Sequence, residues 1–156
     1  MKTHILRTAL VIGSLASLAG LTTTVHAQVA DRLRFTAPFP FIVNGAKLPA
    51  GTYNITPIND TDLSVLRISG VDKGNLNKMA IFETVPEGEQ SNEPKDSAIT
   101  FHQYGQEYVL SQIWDAPDNS GAELTTTKEE RRLAEHQQAE IVTVPLLLAE
   151  NTARTK

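Results

Sequence analysis

The chain has 156 residues with 14 basic and 18 acidic side chains, a formal net charge of −4, and no cysteine. The length suits one ordinary domain, and a mildly acidic chain lacks the basic face that nucleic-acid phosphates require. Without cysteine there is no disulfide, thiol nucleophile, cysteine-zinc site or iron–sulfur cluster.

Residues 1–27 read as a secretory signal peptide. Lys2 and Arg7 give a positive start, Thr8–Leu21 an apolar stretch, and Val25-His26-Ala27 a small-x-small cleavage site before Gln28. The apolar run is short of the roughly 20 residues that a spanning helix needs. No cysteine stands at the cleavage site to carry a lipid. Cleavage between Ala27 and Gln28 leaves 12 basic against 18 acidic residues, a net charge of −6. The expected location is the periplasm or the cell exterior, with no membrane span after signal removal.

The remaining chain, 28–149, reads as a single β-rich domain followed by a frayed tail, 150–156. In Leu33–Asn44, residues Phe35, Phe39, Phe41 and Val43 share one parity and Pro38 and Pro40 the other. Two prolines on one side remove ladder donors, which predicts an edge or bulged strand. Asn44-Gly45 predicts a turn, and Leu48-Pro49-Ala50-Gly51 a three-residue hairpin loop. Thr52–Ile58 alternates as a strand with Tyr53 and Ile55 on one face. Asn59–Asp62 turns the chain. The apolar parity of Leu63–Ile68 switches between Val65 and Leu66, which predicts a bulge. Lys78–Val85 is a strand with Met79, Ile81 and Val85 opposite Phe82, and 86–96 is a polar loop.

Ser97–Trp114 carries the strongest strand signals. Gly105-Gln106 suits a two-residue hairpin turn, because Gly accepts the positive φ required at its first central position. That turn sets Tyr104 opposite Glu107, Gln103 opposite Tyr108, Phe101 opposite Leu110 and Ile99 opposite Gln112. Ile99, Phe101, Tyr108, Leu110 and Trp114 then share the apolar face. With Phe35, Phe41 and Tyr53 they form the expected core. Thr127–Ala139 reads as a surface helix opened by the capping box Thr127-x-x-Glu130, and Ile141–Ala149 as a last strand broken by Pro145. Short strands at regular spacing predict a mainly β fold, an antiparallel β-sandwich or small barrel with one C-terminal surface helix.

Three segments carry a resemblance. Phe39–Tyr53 contains FIVNGAKLPAGTY, Ile99–Trp114 reads ITFHQYGQEYVLSQIW, and Ser120–Ala134 reads SGAELTTTKEERRLA. Together with the signal they resemble an uncharacterised family of small exported soil-bacterial proteins, with segments of the form PFxFxVGxxxLPAGxY, FHRYGxxYFLxxxW and GxELxxSxxERxLA. The resemblance covers most of the chain after residue 27 and implies no assigned activity, fold or catalytic residue. Gln103 and Ala122 stand where that family tends to arginine.

Chemistry is sparse. His102 shares the hairpin's mixed face with Thr100, Glu107 and Ser111, the groups that a histidine-based hydrolase would need. His136 sits on a polar helical stretch without a zinc motif. Glu83, Glu87, Glu89, Glu93 and Asp96, and separately Asp115, Asp118 and Asn119, are oxygen-rich but lack calcium-loop spacing. These residues point to an exported, non-catalytic binding or structural component with a protein or envelope partner and no cofactor. The alternative is a small barrel carrying an apolar ligand in a cavity lined by Phe35, Phe41, Phe82, Tyr108 and Trp114. A hydrolase using His102 is a remote third reading.

Overall fold

The computed structural model describes residues 33–59, 61–86, 96–116 and 120–148. The expected signal peptide with its expected Ala27–Gln28 cleavage point, most of the polar loop, Asp118, Asn119 and the tail lie outside the described residues. Ten strands and one helix follow in order: β1 (Leu33–Ala37), β2 (Phe41–Val43), β3 (Ala46–Leu48), β4 (Gly51–Pro57), β5 (Val65–Gly70), β6 (Met79–Pro86), β7 (Ala98–Tyr104), β8 (Glu107–Asp115), β9 (Ser120–Leu124), α1 (Lys128–Ala134) and β10 (Glu140–Leu148). Eight of the strands close into an antiparallel barrel, in the order β8-β7-β10-β1-β4-β5-β6-β9 and back to β8. Closure depends on β9, which pairs with both β6 and β8. A closed barrel leaves no end strand of the sheet, so the fold is a barrel rather than a sandwich.

An eight-stranded barrel is just wide enough for side chains to fill it. Phe35, Phe41, Tyr53, Ile99, Phe101 and Leu110 all fall in the buried cluster, as expected from their parity, with Leu33, Ile55, Leu66, Ile68, Phe82 and Ile113. Phe35 stacks on Tyr53 at 5.9 Å, and Phe41 meets Tyr53 and Phe101 edge-on at 5.2 and 5.4 Å. Tyr108 is partly buried and packs on the cluster by stacking on Phe39 at 3.8 Å. Of the expected cavity lining, Phe35, Phe41 and Phe82 lie in this buried cluster, Tyr108 packs at its margin and Trp114 falls outside it.

Several local expectations need correction. The Pro38-Phe39-Pro40 segment does not bulge an edge strand. It divides the stretch in two: β1 is an inner barrel strand between β10 and β4, and β2 leaves the barrel to pair with β3. Asn44 (φ 47°) and Gly45 (φ 77°) make the β2–β3 turn, where both central residues need positive φ. The Pro49-Ala50 turn does not join a hairpin, since β4 pairs with β1 and β5 and not with β3. β5 has no bulge at Val65–Leu66; its pairing with both neighbours is regular, and Val65 points outward. Pro145 does not break β10. The strand hands over there from β7 to β1, and Leu146 N–H still donates to the Ser97 carbonyl, so the donor that Pro145 lacks falls on a side not yet paired.

The β7–β8 hairpin keeps its predicted turn and its register as far as Phe101 opposite Leu110. Beyond that a bulge intervenes. Thr100 pairs with Gln112, leaving Ser111 as the extra residue, its hydroxyl donating to the Thr100 carbonyl at 3.0 Å. The extra residue reverses the parity of β8. Ile113, not Gln112, faces Ile99 in the core, and Trp114 is buried outside the core cluster.

Helix α1 stops at Ala134, well short of Ala139, because the N–H groups of His136 and Gln137 both turn back to Leu133 O before β10 begins. It lies on a second, small apolar cluster of Ile42, Tyr104 and Val109 on the barrel's outside, covered by Leu133 and Ala139.

Candidate functional site

Alternation along β7 points Ile99 and Phe101 into the core and leaves His102 and Tyr104 on the outer face. α1 approaches this face with its first turn. Thr127 caps the helix, its Oγ1 accepting from Glu130 N–H at 3.1 Å. In a full capping box the glutamate would reach back to the cap's own N–H. Here the Glu130 carboxylate turns to the barrel instead. Its Oε1 lies 2.8 Å from His102 Nδ1 and accepts from the Tyr104 hydroxyl at 3.4 Å. Glu130 is 7 % exposed. The residue that reads in the sequence as half of a cap is the contact that fastens the helix to the barrel.

The hydrogen bond to Glu130 raises the His102 pKa. Burial opposes the rise, and the negative charges of Glu130 and Glu123 add to it. The folded protein therefore holds this proton more tightly than the unfolded chain. The stabilisation is complete below the ordinary histidine pKa of about 6.5 and is lost as pH rises through the raised value. Glu130→Gln should bring the His102 pKa, followed by NMR titration, down toward the ordinary value and flatten the dependence of stability on pH above about 6.5. An unchanged titration would mean that the pair does not hold the helix.

Beside this pair a cleft opens in the barrel wall. β8 is shared along one side: its first half bridges to β2 at Val109, and its second half pairs with β9. β9 ends at Leu124, and the chain then crosses to α1 through Thr125–Thr127. Below that point no strand among the described residues pairs with both β6 and β8, and the gap is a cleft of about 460 Å³. Phe82 and Leu110 of the core reach it, Val65, Ile81, Val109 and Leu124 line its walls, and Glu83, Thr125, Thr126, Thr127, Lys128, Glu130 and Arg131 are its polar lining. Asn44, at the tip of the β2–β3 hairpin, closes one end by donating from Nδ2 to the Ile81 carbonyl at 2.9 Å.

The residues first singled out for catalysis do not converge. His102 bonds Glu130, the Ser111 hydroxyl is committed to Thr100 O, and Glu107 forms an exposed ion pair with Lys47 at 3.0 Å. His136 Nδ1 lies 2.9 Å from Arg132 O on the helix surface. Asp115 is 2 % exposed and accepts from Ser97 Oγ, while Glu87, Glu89 and Glu93 lie outside the described residues. Among the described residues no three His, Asp or Glu side chains are grouped to hold a metal ion, and no helix is long and apolar enough to cross a membrane. The cleft residues Val65, Ile81, Leu124 and Thr125 carried no signal except one: Val65 and Ile81 are apolar positions out of phase with the core.

No protein-family model, curated protein or solved structure matches the chain.

Proposed function

We propose that this is an exported, non-catalytic binding protein and that its ligand occupies the cleft between β6, β8 and α1. The cleft itself carries the reading. It is of ligand-site size and sets the apolar side chains of Val65, Ile81, Phe82, Val109, Leu110 and Leu124 beside a charged and hydroxyl-bearing lining, so that it can meet both apolar and polar groups of a ligand. The pattern of residues 1–28 supports export. In the ligand-carrier alternative the same cleft would take the apolar group, against Phe82 and Leu110. The remote hydrolytic reading of His102 draws no support from Ser111, whose hydroxyl is committed to Thr100 O.

The experiment is native mass spectrometry of the protein from its host's exported fraction, beside a Thr126→Trp variant. Thr126 is exposed on the cleft rim, so the indole fills the mouth with little effect on folding. We expect a bound species on the native chain and its loss from the variant at unchanged melting temperature. A bound species that survives in Thr126→Trp would place the ligand elsewhere.

A further inference from the structure

We infer that the occupant of the cleft is an extended peptide segment of a partner protein, which pairs as an added strand with β6 over Met79–Glu83. This rests on the cleft being the binding site and names what enters it.

The observation is an open strand edge inside a closed barrel. β6 pairs with β5 over Met79–Glu83, but with β9 only over Thr84–Pro86. The phase of the edge is fixed on both sides. Gly70 N–H donates to Lys78 O and Thr84 N–H to Ser64 O, so the even-numbered residues direct their backbone groups at β5. Met79, Ile81 and Glu83 therefore direct theirs to the cleft side, by the alternation of antiparallel ladders. The Asn44 amide confirms this phase, since it reaches Ile81 O from that side. It supplies a side-chain N–H where a neighbouring strand would supply a backbone one. A row of backbone donors and acceptors at strand spacing is matched by another extended backbone, which is strand addition. A small apolar ligand would leave it unmatched.

The side chains agree. Met79, Ile81 and Val85 alternate along the outer face of β6 and are about half exposed, at 54, 47 and 51 %. Proteins blunt open edges with lysine, proline or a bulge. Here Lys78 and Pro86 only flank the open stretch, and pairing with β5 is regular through it. The stretch accepts a partner of about five residues, some 13 Å at strand rise. Among the described residues neither Lys128 nor Arg131 of the cleft lining is in an ion pair, and of the lining's two acidic side chains Glu130 is held by His102 while Glu83 is exposed on β6. The fitting segment is thus extended and β-branched at alternate positions, with an acidic residue at the end that lies under α1.

The test is amide exchange by NMR on the purified protein titrated with the capped heptapeptide Glu-Val-Thr-Val-Thr-Val-Glu, its lysine-flanked counterpart and laurate. With the acidic peptide we expect exchange at Ile81 and Glu83 N–H to slow at least tenfold, and binding weaker by several-fold for the lysine-flanked peptide. Ile81→Pro removes a donor that β5 does not use and should abolish the slowing, while Ile81→Ala should retain it. Asn44→Gly keeps the positive φ, frees the Ile81 carbonyl and should tighten binding several-fold. Peptide binding without slowing at Ile81 and Glu83 would overturn strand addition. So would dimerisation of the free protein through its β6 edges. Laurate shifting the cleft resonances where neither peptide does would overturn strand addition and leave the cleft as the binding site. If none of the three probes perturbs the cleft, both readings fail.

Discussion

Phe101→Ala should lower the unfolding free energy by about 3–5 kcal/mol, the usual cost of removing a fully packed phenylalanine. Phe101 holds together segments distant in sequence. Its ring meets Phe35 of β1 at 6.2 Å, Phe39 of the proline segment at 5.2 Å and Phe41 of β2 at 5.4 Å. Truncation leaves a void bounded by three rings on a framework of strands, which cannot collapse without breaking ladders. A domain of this size has roughly 5–15 kcal/mol in total, so the variant should keep about four fifths of it at best and melt about 10–20 °C lower. Urea unfolding followed by the fluorescence of Trp114, the sole tryptophan, measures it directly. A loss below about 1 kcal/mol would mean that the ring is not part of a close-packed core. The β2–β3 hairpin hangs on the barrel through this ring cluster and one bridge at Ile42, so the cleft end closed by Asn44 should loosen as well.

Gly70→Ala should cost about 3 kcal/mol, near the top of the range for overpacking. The reason is steric and not conformational. A methyl group at residue 70 would collide with the backbone carbonyl of Asn75 and lie 2.6 Å from its side-chain Cγ. That carbonyl has little freedom to retreat. It accepts from Lys78 N–H at 2.8 Å, while Asn75 N–H donates to Asp72 O at 2.9 Å and Asn75 Nδ2 to Thr52 O at 3.1 Å. The loop of residues 71–77 is thereby pinned across the end of β4 and β5, with Asp72 also accepting from Thr52 N–H at 2.6 Å. Gly74 of the same loop has nothing within 4 Å, so Gly74→Ala should change stability by less than about 0.5 kcal/mol. Equal effects at the two glycines, measured by chemical denaturation, would rule out the pinned-loop account.

Much of the fold was legible before any coordinates. The Gly105-Gln106 and Asn44-Gly45 turns, the inward parity of Phe35, Tyr53 and Phe101, and the cap at Thr127 all follow from local rules and all recur in the structure. The errors have a common origin. Trp114 was assigned to the core by counting parity through β8, and the one extra residue at Ser111 reversed the count. No residue type marks that bulge, because serine is unremarkable in a strand. A proline within an apolar run predicts a strand break at Pro145, yet β10 runs through it at the point where its partner changes. An inward Val65 would demand a bulge, but Val65 lines the cleft outside and the strand stays regular.

By itself, then, the sequence determined which segments extend, where they turn, which faces are apolar, and that no thiol chemistry is available to the chain. Those properties depend on neighbours within a few residues: side-chain alternation, positive φ at glycine and asparagine, and a hydroxyl at a helix start. Only the tertiary structure decided that the sheet closes, that β9 divides its pairing between β6 and β8, and that a gap is left where it ends. The same holds for Glu130, which the local pattern directs to its own helix cap and the barrel draws to His102 and Tyr104. The physical reason is that each of these depends on which of several compatible edges and partners meet. That choice is made by the packing of the whole barrel, between residues as distant in the chain as Glu130 and His102, 28 positions apart, or Leu33 and Leu148 at opposite ends of the described residues.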